Sequence, residues 1–261
     1  MITKRHHFFI LSSSSFPLGI SLVAFNLLFG LLIFFKWGAT RCFASSLFFV
    51  IIFSMVWWIF YSKEFSMEGK DSTPLEEGIK FSIILFISSE VFFFFSFFWS
   101  YFHFYLSPTL EVRLSWPPVS LEFFDFTAVP LINTLVLVSS GVTVTLSHYF
   151  LNTGRFNYFC FFLIFTIFLG GFFSWLQWLE YNSSFFSISD SSFGTSFFIL
   201  TGFHGIHVII GTVFLGSVLF RVIFSLRNKI DSTMFDLSAW YWHFVDVVWL
   251  FLYFCLYYMN G

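Results

Sequence analysis

A few ionisable side chains stand inside stretches that are otherwise apolar. Glu90 lies in FISSEVFFFFSFFWSYFHF (86–104), with no lysine or arginine between Lys80 and Arg113. His204 and His207 lie in TGFHGIHVIIG (201–211), and His243 and Asp246 in WYWHFVDVVWLFLY (240–253). Carboxyl and imidazole groups can hydrogen-bond, carry protons or ligate metals. In a helix, Glu90 shares its face with Ile83, Phe86, Ile87, Phe93, Phe94 and Phe97, none of which can neutralise it. An acid at the centre of a bilayer costs about 2.5–3.5 kcal/mol, and desolvation favours its neutral form. Its partner must come from another helix or from water.

Two segments offer one. His204 and His207 sit at i, i+3 on one helical face, and Gly202, Gly205 and Gly211 beside them are expected to let a neighbouring helix come close. His243 and Asp246 share a face in the same way and could bond locally or clamp a neighbour. Three uses are open to this set: a lock between helices, a proton-transfer site at Glu90, or ligation of haem or metal. The last needs histidines facing each other across a bundle, and no HxxxH or carboxylate–His metal spacing appears. No catalytic residue and no metal site are expected. Trp57 and Trp58 with Lys63 and Glu64 form an interfacial cluster of the aromatic-belt kind. Arg221 could meet a lipid phosphate or simply extend to the interface. His6 and His7 read as exposed tail.

These residues need membrane-spanning elements to hold them. Of 261 residues, 58% are hydrophobic and only 10% charged, more apolar surface than a soluble domain of this length can bury. A net charge of −2 leaves no electrostatic footprint for nucleic acid. Cys42, Cys160 and Cys255 lie in or beside apolar runs without CxxC spacing, as small hydrophobes do. Runs of about 20 apolar residues cross the hydrocarbon, and seven are found, at about 16–35, 42–61, 74–106, 128–150, 156–181, 191–223 and 233–258. Thr73-Pro74 and Thr233 mark helix starts, and Pro17 and Pro130 fall in first turns.

With alternating loops, Lys4, Arg5, Lys63, Lys70, Lys80, Arg155, Arg221, Arg227 and Lys229 fall on the N-terminal side, and Lys36, Arg41 and Arg113 on the other. The positive-inside rule then puts the N-terminus inside and the C-terminus outside. The opening residues read as neither a secretory signal nor a transit peptide, so the chain is expected to be made where it works or inserted by its first helix.

In this order, ILFISSEVFFF, SPTLEVRLSWPP, PLINTLVLVSSGVTVTLSH, SISDSSFGTSFFILTGFHGIHVIIGT and AWYWHFVDVVWLFLY resemble the cytochrome c oxidase subunit III family, from about residue 55 onward. The resemblance implies an all-α integral membrane fold of seven helices, with helices one–two splayed from a three–seven bundle. It implies a tail at 1–15 on the inner side and one membrane domain over 16–261, made of a two-helix arm (about 16–61) and a five-helix bundle (about 74–258).

The implied role is a core, non-redox subunit of a proton-pumping terminal oxidase that reduces O2. Haem a and copper lie in partner subunits, and subunits I and II with accessory subunits are the partners. Phospholipid fills the cleft between arm and bundle, supporting oxygen access, sustained proton uptake and resistance to inactivation during turnover. The setting is the mitochondrial inner membrane, N-terminus in the matrix and C-terminus in the intermembrane space.

Glu90 falls on the family's carbodiimide-reactive carboxylate, and Trp57, Trp58, Lys63, Glu64 and Arg221 on its lipid-lining positions. The chain departs from the family at Gly69-Lys70-Asp71-Ser72, where Gly-His-His is usual, and at Arg113, where small residues are. A stand-alone transporter or a haem-binding membrane cytochrome are the alternatives. The sequon Asn182-Ser183-Ser184 separates a secretory-route protein, which could carry sugar there, from a mitochondrial one.

Overall fold

Lipid offers no hydrogen bonds, so a backbone that crosses it must satisfy its own N–H and C=O groups. The apolar runs accordingly fold as helices. The structure is a computed structural model and describes residues 14–67, 73–108, 115–118, 124–224 and 232–260; the side chains of 61–67, 73–76 and 224 lie outside that description. The helices are α1 (Phe16–Trp37), α2 (Thr40–Met67), α3 (Thr73–Leu106), α4 (Val129–Asn152), α5 (Phe156–Asn182), α6 (Ser192–Phe224) and α7 (Ser232–Leu252), which continues as a π-helix over Tyr253–Tyr258. Seven are long and apolar enough to cross a membrane, and no strand occurs among the described residues.

Local chemistry sets several boundaries. Pro17 and Pro130 occupy first-turn positions of α1 and α4, where a missing N–H costs nothing. α1 stops at Gly38, whose φ of 66° is left-handed and whose N–H closes on the Phe34 carbonyl. Asp125 Oδ1 accepts from the Thr127 N–H at 2.9 Å and its hydroxyl at 2.6 Å, bracing the entry to α4. Those bonds hold the Asp125 carboxyl below the usual range. Ser191 Oγ accepts the Gly194 N–H at 3.1 Å and caps α6. α7 begins at Ser232, so Thr233 lies inside the first turn rather than at the expected cap.

The packing divides into two compact units, one up to Ile79 and one from Lys80. In the first, α1 and α2 approach closely at Gly30, where an added Cβ would lie 2.6 Å from Ser46 Oγ. Phe16 stacks on Trp57 with ring planes 4° apart.

In the second unit, α4, α5, α6 and α7 close a ring in which each helix packs on the next and α7 returns to α4. Trp242 and Trp249 fill its interior, donating to Ser140 Oγ at 2.9 Å and Thr134 Oγ1 at 3.0 Å. Gly170 leaves room for the Trp242 ring: a Cβ there would meet that ring and Thr212 Cγ2 at 2.6 Å. Gly170→Ala is therefore expected to cost about 1–3 kcal/mol. The check is the thermal midpoint of the solubilised protein, with Gly171→Ala, which meets nothing within 4 Å, as the unchanged control.

α3 joins this ring through aromatic side chains, with its backbone farther off. Phe93 meets Phe203 edge-on at 5.0 Å, and Phe94 packs on Phe244. At the C-terminal end of α3, the Tyr101 hydroxyl donates to the Cys255 carbonyl at 2.8 Å, within the π-helix. Asn260 Nδ2 donates to the same carbonyl at 2.8 Å, and its Oδ1 accepts from Trp116 Nε1 at 3.0 Å. One asparagine thus ties the end of the last helix to α3 and to the segment after it.

Candidate functional site

Glu90 projects from the middle of α3 toward α6, where His207 meets it. The His207 Nε2 to Glu90 Oε2 distance is 2.9 Å, and the side chains are 11% and 22% exposed. The other ring nitrogen, Nδ1, lies 2.7 Å from the Phe203 carbonyl one turn back. A carbonyl can only accept, so Nδ1 carries a proton. One proton then remains for the Nε2–Oε2 contact. That contact is a hydrogen bond in which either the acid or the ring is the donor. Phe94 stands edge-on to the imidazole at 5.0 Å, with Phe93 and Tyr241 also beside it. These three rings line the imidazole.

His204 shares its helix face with His207 but turns to a different neighbour. It is fully buried, and its Nε2–H donates to the Val245 carbonyl of α7 at 3.2 Å, between Phe173 and Trp249. The two histidines therefore bind different helices: His207 ties α6 to α3, and His204 ties α6 to α7. With one nitrogen of each ring held by a backbone carbonyl, the two do not form a hydrogen-bonded relay.

The glycines beside them act differently from expectation. Gly202 and Gly205 face open space, with nothing within 4 Å of an added Cβ, and only Gly211 meets a neighbour, the Trp242 ring at 2.9 Å. Close approach to α7 rests on that one glycine because Gly202 and Gly205 lie on the opposite face.

His243 and Asp246 stand apart from Glu90. Their Nδ1–Oδ2 distance of 3.7 Å is too long for a hydrogen bond. The carboxylate lies over α4 at Gly141, where a Cβ would come within 2.5 Å of Oδ2. Of the interfacial set, Trp57 packs on Phe16, Trp58 is half-exposed, and Arg221 Nη1 donates to Met234 Sδ at 2.6 Å. Lys63 and Glu64 lie in α2 with side chains outside the described residues, as do His6, His7, Lys70, Asp71 and Arg113 altogether. Among the described residues no three His, Cys, Asp or Glu side chains converge as a metal site would require.

One carboxyl escaped the sequence reading. Glu180, in the last turn of α5, is 2% exposed, and its Oε1 accepts from the Tyr257 hydroxyl at 2.6 Å. Gln177, one turn earlier, takes a long bond from Asn133 Nδ2 at 3.4 Å. The signal was the pair of polar residues at i, i+3 in SWLQWLEYN, which sequence spacing alone does not place inside the bundle.

The comparisons with known proteins agree across the chain. The family model described as cytochrome c oxidase subunit III matches residues 6–261. The chain is 42% identical over 258 residues to the cytochrome c oxidase subunit 3 of Branchiostoma lanceolatum, covering 99% of this chain and 98% of that one. It is 41% identical to that of Paracentrotus lividus over 261 residues and all of both chains. To that of Patiria pectinifera it is 40% identical over 255 residues, 98% of each.

Proposed function

The chain belongs to the cytochrome c oxidase subunit III family, and on that premise we propose that it is the non-redox support subunit of a proton-pumping, O2-reducing oxidase. As a member it is a multi-pass membrane protein that assembles with other oxidase subunits. It packs beside subunits I and II in the mitochondrial inner membrane, N-terminus in the matrix and C-terminus in the intermembrane space. Haem a and copper are held by those partners. Phospholipid lies along Trp57, Trp58, Lys63, Glu64 and Arg221, within a single membrane domain of a two-helix arm and a five-helix bundle, and its retention sustains proton uptake and oxygen access.

The observation that carries the support role is the Glu90–His207 bond, which binds α3 to α6 while His207 Nδ1 is committed to a backbone carbonyl. A group built to pass protons needs a second, exchangeable partner, and the His207 ring, with both nitrogens engaged, offers none. Its chemistry fits a lock between helices.

The test is affinity capture of this chain from the native membrane in mild detergent. Mass spectrometry identifies its partners and lipids, and a reduced-minus-oxidised spectrum is recorded. Subunits I and II, phospholipid and haem a absorbance are expected in the captured complex. Recovery of a lone, colourless chain from intact membranes would overturn the reading.

A further inference from the structure

α7 is the most enclosed helix of the molecule, yet one narrow stripe of it faces outward. Trp240, Val247, Leu250 and Phe254 are exposed along it, with Phe251 at its edge. The fifth member is His243, whose side chain is 41% exposed. The positions 240, 243, 247, 250 and 254 alternate steps of three and four, the spacing of a seam that receives one neighbouring helix. The residues between them, Tyr241, Trp242, Val245, Val248 and Trp249, are buried in the bundle.

Depth makes the histidine informative. The span runs over Ser232–Tyr258. His243 lies eleven residues in, about 16 Å along the axis and close to the middle of a hydrocarbon layer of about 30 Å. Headgroups and bulk water do not reach that depth, so a polar group facing lipid there would go unsatisfied. Nor can the ring escape inward. Its Nδ1 faces the Asp246 carboxylate, held over Gly141, which puts Nε2 on the far side of the ring. Asp246 Oδ1 is buried without a hydrogen bond. The dyad therefore keeps an imidazole nitrogen pointed away from its own carboxylate.

We infer that this stripe is the seat of one transmembrane helix of another oxidase subunit, which brings a hydroxyl or amide side chain to His243 Nε2. Such side chains can give or take a hydrogen bond, so they suit the ring in either tautomer. This rests on the reading of the chain as an assembled oxidase subunit and adds the surface by which it assembles.

The test labels the purified holoenzyme in lipid with a lipid-soluble aryl diazirine and maps the label by mass spectrometry. The same is done on the chain after detergent dissociation, with core residues Phe159 and Val245 as the control for retained fold. At least about fivefold less label at Trp240, Val247, Leu250 and Phe254 is expected in the holoenzyme. Equal labelling, or protection that persists in the separated chain, overturns the inference.

The second arm compares retention of variants in the complex after a detergent challenge. His243→Ala is expected to lower retention about three- to tenfold, while His243→Gln stays within about twofold of the unaltered chain. Retention of the alanine variant at the unaltered level sinks the seam. Absence of the unaltered chain from any haem-containing complex would sink the subunit reading itself.

Discussion

Replacing His207 with alanine is expected to cost the bundle about 3 kcal/mol, the larger effect of the Glu90–His207 pair. The Glu90 carboxyl left without its partner loses a buried hydrogen bond, worth about 1–3 kcal/mol. Loss of the imidazole from its contact with Phe94 adds roughly 1 kcal/mol of packing. Glu90→Gln should cost no more than about 1 kcal/mol, because the amide can donate to Nε2 through its N–H2 or accept from it through its oxygen. Glu90→Ala leaves the imidazole Nε2 without its partner and falls between the two.

The double variant, Glu90→Ala with His207→Ala, should lose about 1 kcal/mol less than the sum of the single changes, since each single change already breaks the shared bond. Thermal midpoints of the purified complex read all four. Strict additivity would mean that the 2.9 Å contact carries no coupling. Turnover per assembled enzyme should be unchanged in Glu90→Gln; a loss of proton translocation at normal assembly would turn the lock into a proton carrier.

How far the sequence reached depended on whether a feature was set locally. The seven spans lie within a few residues of the helices, apart from the longer C-terminal end of α2, because their limits are written in prolines, caps and the ends of apolar runs. The need of Glu90 for a partner was legible too, from its depth and its apolar neighbours. Which histidine meets it was not. His204 and His207 are about 60° apart around α6, and only the placement of α3 and α7 decides which helix each faces. The same blindness misread Gly202 and Gly205, small residues that turned out to face outward. Side-chain type tells what a position can do, whereas helix rotation tells what it does.

Glu180 shows the opposite failure, a buried acid hidden by its place at a helix end, and it yields a sharper expectation. Two effects disfavour a charge there: burial, and the negative end of the α5 dipole in whose last turn it sits. Its Oε2 is buried without a hydrogen bond, so the Tyr257 hydroxyl on Oε1 is its one described compensation. Tyr257→Phe removes that bond and should lower stability by about 2–3 kcal/mol, at the upper end for a buried donor lost to a carboxyl.

Glu180→Gln should behave in the reverse sense. The amide oxygen still accepts from Tyr257, no charge is buried, and the N–H2 takes the place of an unpartnered oxygen, itself without a described acceptor. The variant is expected to be as stable as the unaltered chain or better by roughly 0.5–1 kcal/mol. The two midpoints discriminate cleanly: if Glu180→Gln falls as far as Tyr257→Phe, the carboxylate itself is being used, by a cation or a partner group that reaches Oε2 in the assembled enzyme.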